Sequence, residues 1–442
     1  RRGLKQTAYQ VLVSSSLSKL NKDNGDLWDT GKQSSDQSIQ IEYDGSALSA
    51  ETDYFWKVRI WNEKNVASAW SAPAQWKMGL LTSADWDAAK WIRHSDGSSP
   101  VSPLLRNEFK VHKKIKSAYA YVCGLGYYEM YLNGSKVGDH VLDPSQTNYD
   151  KYAYYVTYDI TKHLNQGDNC VGVTLGGGFY DQDSAFGGLI YGQPGVIAKV
   201  KINFTDGTTQ TVVTDKSWRT ALGPIQKSNI YTGENYDARQ EKSGWTLASY
   251  NDSSWASAVE ASDLSSSAAT SSPKPSASSP KKKKNKGKGR QPSSSALPSN
   301  LRAQQLPPIK KHYTLKTQKK TNPTGNVYIY DFGENIAGWA RLKVNASRGT
   351  KITLRFAEWL YPNGTLDPRS TQGGAHKFVQ TDTYICKSSN EEIWEPKFTC
   401  HGFRYVEVTG LTNPPDDLLE VFTVNTAVED ISTFTCSNPD FN

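Results

Sequence analysis

The sequence predicts an all-β protein with three β-sandwich domains in series and one disordered basic linker. The first observation is composition: aromatic residues make up 11% of the chain, Met occurs only 2 times, and 34 Gly and 20 Pro supply many turn formers. Such a composition is typical of short strands separated by turns. The second is length, because 442 residues correspond to about three domains of ordinary size. The third is an alternation of apolar and polar residues that recurs in short segments along the chain.

Residues 1–82 are predicted to form the first sandwich. Residues 9–13 have the composition of a strand, and residues 54–61 alternate strictly. This alternation places four large apolar side chains on one face, which we expect to be buried: Tyr54, Trp56, Val58 and Ile60. Residues 69–71 (Ala-Trp-Ser) and Trp76 resemble the end of a fibronectin type III-like module, a fold that by itself implies no chemistry.

Residues 84–260 are predicted to form a second, jelly-roll-like sandwich, which begins at Trp86 and ends at Trp255. Asn133-Gly134 and Asp206-Gly207 are typical hairpin turns, because Asn, Asp and Gly tolerate the positive φ that such turns require. The strand-like stretches of this domain are residues 115–122, 127–132, 154–158, 169–175, 196–204 and 209–214.

Residues 261–306 are predicted to form a disordered linker, because their Ser, Pro, Ala and Lys provide too little apolar area to offset the entropy of ordering. The net charge of +7 originates between Ser271 and Pro292, where eight basic residues occur without an acidic one: Lys274, Lys281, Lys282, Lys283, Lys284, Lys286, Lys288 and Arg290. Elsewhere 43 basic residues balance 44 acidic ones, so the folded part gives no reason to expect nucleic-acid binding. We favour a solvated loop over a docking patch for nucleic acid, import factors or acidic lipid.

Residues 307–428 are predicted to form a third sandwich, again from alternating segments such as residues 341–344 (Arg-Leu-Lys-Val). Residues 429–442 have the character of a segment that leads into a further domain and is cut off before it. We therefore expect the chain to end just before that domain. At the other end, Arg1 is neither an initiator Met nor the start of a signal peptide, and we expect the true N-terminus to be missing.

The sequence also excludes or leaves open several properties. No run of eighteen apolar residues occurs and the mean hydropathy is −0.63, so we expect no membrane span. The cellular location stays open. A secreted or lysosome-like compartment is favoured only slightly by five Asn-x-Ser/Thr sequons, which is about the number that chance gives: Asn133, Asn203, Asn251, Asn345 and Asn363.

Three isolated features have ordinary structural interpretations. Five cysteines lack the spacing of a zinc site and are predicted to be free core thiols: Cys123, Cys170, Cys386, Cys400 and Cys436. His401 is predicted to be a packed, hydrogen-bonded side chain rather than a ligand. Residues 331–333 (Asp-Phe-Gly) match a kinase triplet, but the other kinase motifs are missing, so we predict a turn after a strand.

Several motifs in the same order resemble the N-terminal domains of bacterial-type α-L-rhamnosidases of glycoside hydrolase family 78. In the second domain they are residues 124–129 (GLGYYE), 132–134 (LNG), 137–139 (VGD), 158–161 (YDIT) and 231–239 (YTGENYDAR). In the third domain they are residues 330–339 (YDFGENIAGW), 358–360 (EWL) with Asp367, 381–384 (TDTY) and 401–408 (HGFRYVEV). The resemblance covers nearly the whole chain except the lysine-rich insert, and it implies a concanavalin-like fold for the third domain.

The resemblance implies an inverting hydrolase that removes terminal α-L-rhamnose from glycosides or polysaccharides. In that family a helical barrel after the third sandwich carries the catalytic carboxyls, so we expect no catalytic residue in this chain and no activity from it. Inverting hydrolysis needs two carboxyls about 6.5–9.5 Å apart. No cofactor is required by this chemistry. The alternative is a non-catalytic carbohydrate-binding or adhesion protein.

The second domain resembles a carbohydrate-binding module that holds rhamnose with calcium in some relatives. Sugar binding needs aromatic planes and short polar side chains, and calcium needs carboxylate and amide oxygens. The residues that supply these groups are Asn148, Tyr149, Asp150, Phe179 and Tyr180. We weigh this site against the simpler interpretation, which we favour, that these are loop and core residues of a scaffold.

Overall fold

The computed structural model describes residues 5–96, 100–182, 191–261, 297–298, 300–371, 379–429 and 431–441. Strands hold 48% of the chain and helices 6%, which confirms the all-β prediction. The chain divides into two compact units, Arg1–Trp86 and Asp87–Asn442. Most of the predicted linker, residues 262–296 and residue 299, lies outside the described residues. Within the described ranges, no helix has the length and apolar character that a membrane crossing needs.

The first unit contains a five-stranded antiparallel sheet. A single helical turn, Leu17–Leu20, follows its first strand, and the Ser16 hydroxyl caps the turn by accepting a hydrogen bond from the Lys19 backbone N–H. The spatial order of the strands is Trp28–Asp29, Gln6–Ser14, Asp53–Asn62 and Ala74–Lys77, with Gln33–Ser34 also paired to Gln6–Ser14.

The buried face of the strand Asp53–Asn62 differs from the predicted one. Tyr54 is buried as expected, but Trp56 and Ile60 are 36% and 41% exposed. Trp61, which the alternation assigns to the wet face, is buried instead. The prediction of a single apolar face was therefore wrong for this strand.

Two cations explain the difference. The Lys57 ammonium pairs with Asp23 and lies 5.1 Å from the centre of the Trp70 ring. The Arg59 guanidinium lies 4.5 Å from the Trp70 ring and 5.0 Å from the Trp61 ring. Charged side chains with long apolar stems thus cover the indoles, so a pattern based on hydrophobic residues alone marks the wrong face.

The second sandwich consists of two sheets whose inner side chains form one hydrophobic core. The six-stranded sheet has the order Ser135–Lys136, Tyr127–Leu132, Gly167–Gly176, Pro103–Val111, Arg219–Leu222 and Ala256–Ser257. The seven-stranded sheet has the order Val259–Glu260, Ile92–Arg93, Gly195–Phe204, Ile115–Leu125, Ala153–Asp159 and Leu301–Ala303, with Thr209–Val213 beside Gly195–Phe204. Both predicted hairpins are present; Asn133 and Gly134 have φ values of 50° and 89°, and Gly207 has a φ of 85°.

The third region is a ten-stranded sheet that curls into a half-barrel around its own core. Its order is Ile225–Asn229, Gly233–Asp237, Thr381–Ile385, Lys351–Ala357, His401–Thr409, Val327–Asn345, Leu419–Thr426 and Ile309–Lys316. Lys319–Thr324 and Glu391–Trp394 also pair with Val327–Asn345, and Trp359–Leu360 pairs separately with Leu366–Asp367. Short 3₁₀ turns occur at Ser83–Trp86, Thr161–His163, Ala238–Gln240, Pro368–Thr371 and Pro439–Phe441.

Three segments join sheets in which most other strands are distant in sequence: Ile225–Asn229, Gly233–Asp237 and Leu301–Ala303. Gly233–Asp237 pairs in parallel with Thr381–Ile385 and so belongs to the curled sheet. Conversely, Leu301–Ala303, at the end of the predicted linker, pairs in parallel with Ala153–Asp159 of the second sandwich. Strands of three to five residues are too short to show an alternation of apolar and polar residues. The sequence therefore does not indicate that these strands pair with a sheet of another domain.

The predicted turn at residues 331–333 is instead an irregularity within one long strand, Val327–Asn345. The pairing register shifts between Asp331 and Ile336, and Gly333 adopts a φ of +83°. The Gly333 N–H donates to the Asp331 carboxylate at 2.8 Å. This geometry is that of a β-bulge in which a glycine interrupts the regular pairing of two strands.

Gly338 lies where the long strand passes from one neighbouring strand to the next. A Cβ atom at this position would be 1.8 Å from the carbonyl oxygen of Phe422, which is backbone and has little freedom to move. At Gly402, on the adjacent strand, a Cβ atom would meet nothing closer than the Glu358 carboxylate at 4.0 Å.

We therefore expect Gly338→Ala to destabilise the protein by about 3 kcal/mol through overpacking. Gly402→Ala is the matched control and should change stability by less than about 1 kcal/mol, because its methyl group has room. Urea unfolding of both variants measures the difference. Equal effects of the two substitutions would contradict the close approach at Gly338.

Candidate carbohydrate-binding surface and domain junction

Two of the predicted sugar-binding residues, Asn148 and Asp150, lie in one turn. Asn148 and Asp150 are exposed. The Asn148 side-chain oxygen accepts a hydrogen bond from the Asp150 backbone N–H at 3.2 Å, and the Asn148 carbonyl accepts one from Lys151 at 2.8 Å. The carboxylate of Asp150 and the amide of Asn148 are thus oxygen donors on one accessible turn.

Tyr149 and Tyr180 come together, but inside the sandwich. They are only 4% and 5% exposed, and their ring centres lie 5.1 Å apart in an edge-to-face contact. Tyr191 packs against both rings, at 5.2 and 5.8 Å. Burial raises the pKa of Tyr180 to about 12, although Arg93 opposes the shift. This packing is typical of a core and leaves neither ring as an exposed plane.

Phe179 belongs to a different aromatic group. It is half-buried and contacts Tyr127 and Tyr231 edge-to-face, at 6.2 and 6.1 Å between ring centres. The segment 183–190, which follows Tyr180 closely, lies outside the described residues. Within the described ranges, no group of three or more His, Cys, Asp and Glu side chains is arranged to hold a metal ion. The sugar-binding surface and its calcium stay predictions.

A charged cluster at the junction of the second sandwich and the curled sheet was missed by the sequence analysis. Glu129, on the strand Tyr127–Leu132, is 8% exposed. Its carboxylate accepts hydrogen bonds from the Lys397 ammonium at 2.6 Å and from the Lys136 ammonium at 2.8 Å. The Tyr131 hydroxyl donates to Glu129 and accepts from Lys397 at 3.0 Å.

The electrostatics of this cluster favour the charged forms. Burial opposes ionisation of Glu129, but the ammonium groups of Lys397 and Lys136 outweigh it and lower the pKa of Glu129 to about 2. Burial likewise opposes the charge of Lys397, while Glu129 raises the pKa of Lys397 well above its ordinary value. At neutral pH the junction therefore holds a carboxylate between two ammonium groups.

A second buried carboxyl, Glu234, lies beside the same loop and is fully buried. One of its oxygens accepts hydrogen bonds from the backbone N–H groups of Lys397 and Phe398, both at 3.1 Å, while the other has no hydrogen-bond partner among the described residues. Burial raises the pKa of Glu234 to about 8, and nearby Asp382 adds to the shift. Burial thus favours the protonated form of Glu234.

Asp382 connects Glu234 to His401. The Asp382 carboxylate accepts a hydrogen bond from the Glu234 backbone N–H at 2.8 Å and lies 3.0 Å from Nε2 of His401. The His401 ring is 1% exposed and stacks on Phe356 at 4.2 Å. The prediction that His401 is a packed, hydrogen-bonded histidine is confirmed.

Three of the cysteines fit the predicted core role, because Cys123, Cys170 and Cys386 are buried. Burial raises the pKa of the Cys170 and Cys386 thiols to about 11, so both stay protonated at neutral pH. Cys400 and Cys436 are only partly buried, and Cys436 lies in the segment after the last strand.

Three protein-family models match the chain in sequence order. A Rha78A-like, N-terminal immunoglobulin domain matches residues 1–82, the α-L-rhamnosidase N-terminal domain matches residues 113–312, and the bacterial α-L-rhamnosidase concanavalin-like domain matches residues 320–425. The chain carries the N-terminal domains of the α-L-rhamnosidase family. The predicted resemblance is therefore confirmed, and so is the series of immunoglobulin-like and concanavalin-like domains.

Known α-L-rhamnosidases match the whole chain but extend well beyond it. An α-L-rhamnosidase of Formosa agariphila is 38% identical over 100% of this chain and 46% of its own length. The chain thus spans about half the length of the curated relatives it matches. The solved α-L-rhamnosidase from Dictyoglumus thermophilum superposes with a TM-score of 0.83 at 36% identity, covering 99% of this chain and 47% of that one. The Streptomyces avermitilis enzyme complexed with L-rhamnose gives a TM-score of 0.81 at 26% identity, covering 96% and 54%.

The titration of Glu234 should make the stability of the protein depend on pH, and this dependence tests the burial of Glu234 at the junction. In the unfolded chain this carboxyl ionises near its ordinary pKa of 4.5, whereas in the folded chain it keeps its proton up to about pH 8. Raising the pH between these values therefore favours the unfolded state, by up to ~1 kcal/mol per pH unit. Glu234→Gln removes this titration, so the variant should gain stability relative to the natural chain as the pH rises from about 5 to 8.

Urea unfolding at several pH values measures this difference. Glu391→Gln, at a side chain that is 57% exposed, is the matched control and should show no pH-dependent difference. A constant difference between Glu234→Gln and the natural chain across the whole range would show that Glu234 is ionised in the folded state.

Proposed function

We propose that this chain is the non-catalytic N-terminal region of an enzyme that hydrolyses terminal α-L-rhamnose from glycosides or polysaccharides with inversion. The observation that carries the proposal is the order of three domain types, at residues 1–82, 113–312 and 320–425, together with 38% identity to an α-L-rhamnosidase along the whole chain. Rhamnose-containing glycosides or polysaccharides are then the substrates of the whole protein.

The carboxyls of the described residues support a non-catalytic role. Inverting hydrolysis needs a general acid with a raised pKa at the leaving oxygen and a second carboxylate that activates water. In the described part of the chain, Glu234 has a clearly raised pKa, but it is fully buried and has no access to a sugar. Burial opposes the ionisation of Glu129, Asp331 and Glu395, but their cationic partners outweigh it and lower the pKa values, so these groups are poor general acids.

We therefore expect the isolated chain to have no glycosidase activity. An aryl α-L-rhamnoside assay of the pure protein should match a mock preparation, with an active α-L-rhamnosidase as positive control. Turnover above the mock level that co-purifies with the chain would contradict the non-catalytic role.

The second sandwich is proposed to bind L-rhamnose weakly at Asn148, Tyr149, Asp150, Phe179 and Tyr180. The support is chemical: the exposed oxygens of Asn148 and Asp150 suit sugar hydroxyls or calcium, and Tyr149, which lies between them in sequence, packs against the ring of Tyr180. One monosaccharide buries little area, so the dissociation constant should be near millimolar, about −4 kcal/mol.

A titration of L-rhamnose with and without a calcium chelator tests this surface. Asp150→Asn should weaken binding because it removes a charged oxygen ligand, and Tyr180→Ala should abolish it by removing the support beneath the loop. Tyr313→Ala, on an exposed tyrosine of the curled sheet, is the matched control. Rhamnose binding that is unchanged by the chelator, by Asp150→Asn and by Tyr180→Ala would place the rhamnose site elsewhere.

A further inference from the structure

A cavity of about 280 Å³ lies at the junction of the second sandwich and the curled sheet, away from the Asn148–Tyr180 surface. Three half-buried aromatic side chains line it: Tyr131, Tyr236 and Trp245. Ligand sites are concentrated in such clefts between domains, and aromatic rings offer flat faces to the C–H groups of a sugar ring.

The aromatic rings of this junction cavity are fixed from behind. Trp245 stacks on Trp255 with ring centres 6.3 Å apart and planes 25° from parallel. Tyr236 stacks on Tyr384 at 5.8 Å and 15°. Tyr131 meets Trp245 edge-to-face at 5.8 Å. Because these contacts already hold the rings, a ligand would not have to order them, and this lowers the entropic cost of binding.

Charged hydrogen-bonding groups lie between the rings. The Glu241 carboxylate is 30% exposed and accepts a hydrogen bond from the Tyr236 hydroxyl at 3.1 Å. The Lys397 ammonium is 32% exposed, and the Glu129 carboxylate holds it in place. Glu241 is also paired with Lys387, and with Lys397 it places one acceptor and one donor in the lining of the same cavity, the two kinds of partner that sugar hydroxyls use.

A larger cavity, of about 540 Å³, shares Tyr131 and Lys397 with the junction cavity. Several charged side chains line it, among them Lys136, Lys311 and Glu395. The side chains of Tyr131 and Lys397 therefore lie at the boundary between the two cavities.

We propose that the junction cavity binds one pyranose ring of a saccharide. The ring lies against Tyr131, Tyr236 and Trp245, while its hydroxyls donate to Glu241 and accept from Lys397. This site is distinct from the rhamnose surface proposed above and does not depend on it, since no residue is shared.

Ligand-observed saturation-transfer NMR on the whole chain tests the proposal, with methyl α-L-rhamnopyranoside, methyl β-D-glucopyranoside and methyl β-D-galactopyranoside as probes. At least one probe should bind. Glu241→Gln removes the charge of the proposed acceptor and should weaken binding about tenfold, the effect of one charge-assisted hydrogen bond. Trp245→Leu removes one aromatic face of the cavity and should also weaken binding about tenfold. Thermal unfolding of each variant confirms that it is folded.

Two controls separate this site from other effects. Glu391→Gln repeats the charge removal on an exposed, ion-paired glutamate outside the cavity and should leave binding unchanged. Asp150→Asn should leave the binding of the glucoside and the galactoside unchanged, because it alters only the other surface, and should reduce rhamnoside binding only by the part that occurs at that surface. The proposal is overturned if no probe binds, if binding survives both cavity variants, or if Asp150→Asn abolishes the binding of every probe that binds.

Discussion

The ion pair between Glu129 and Lys397 is the interaction on which the junction depends. The two residues are 268 positions apart in sequence, and the pair joins a strand of the second sandwich to a loop of the curled sheet. A carboxylate that is 8% exposed is costly unless its charge is balanced, and here Lys136 and Lys397 balance it from two sides. The loop is thereby fixed at its side chain.

The backbone of the same loop is fixed separately. The N–H groups of Lys397 and Phe398 donate to Glu234, whose strand pairs with Thr381–Ile385. The Phe398 ring also fills a space beside Gly176, where a Cβ atom would be 2.4 Å from the ring. A glycine of the second sandwich thus makes room for an aromatic side chain of the third region. The ion pair, the backbone hydrogen bonds and the packing of Phe398 all fix the same short loop. Lys397 of this loop lines both the junction cavity and the larger cavity beside it.

Local features could be predicted from the sequence. The hairpins at Asn133-Gly134 and Asp206-Gly207 follow from the backbone freedom of their residues, and the packed state of His401 follows from its isolation from other ligands. The family also follows, because its motifs are continuous stretches.

Features that depend on distant partners could not be predicted. The buried face of Asp53–Asn62 depends on cations stacked on Trp70, and the strand Leu301–Ala303 exists only because Ala153–Asp159 offers it an edge. Lys397 lies in none of the recognised motifs, so only the fold reveals its role.

A double-mutant cycle at the junction tests most directly whether the Glu129–Lys397 pair joins the two regions. The free energy of unfolding would be measured for Glu129→Gln, Lys397→Met and the double variant. We predict a coupling energy of about 2 kcal/mol, below the cost of breaking a fully buried pair because about a third of the Lys397 side chain is exposed. Additive effects within about 0.5 kcal/mol would contradict the account and show that the junction is held by packing and shared strands alone.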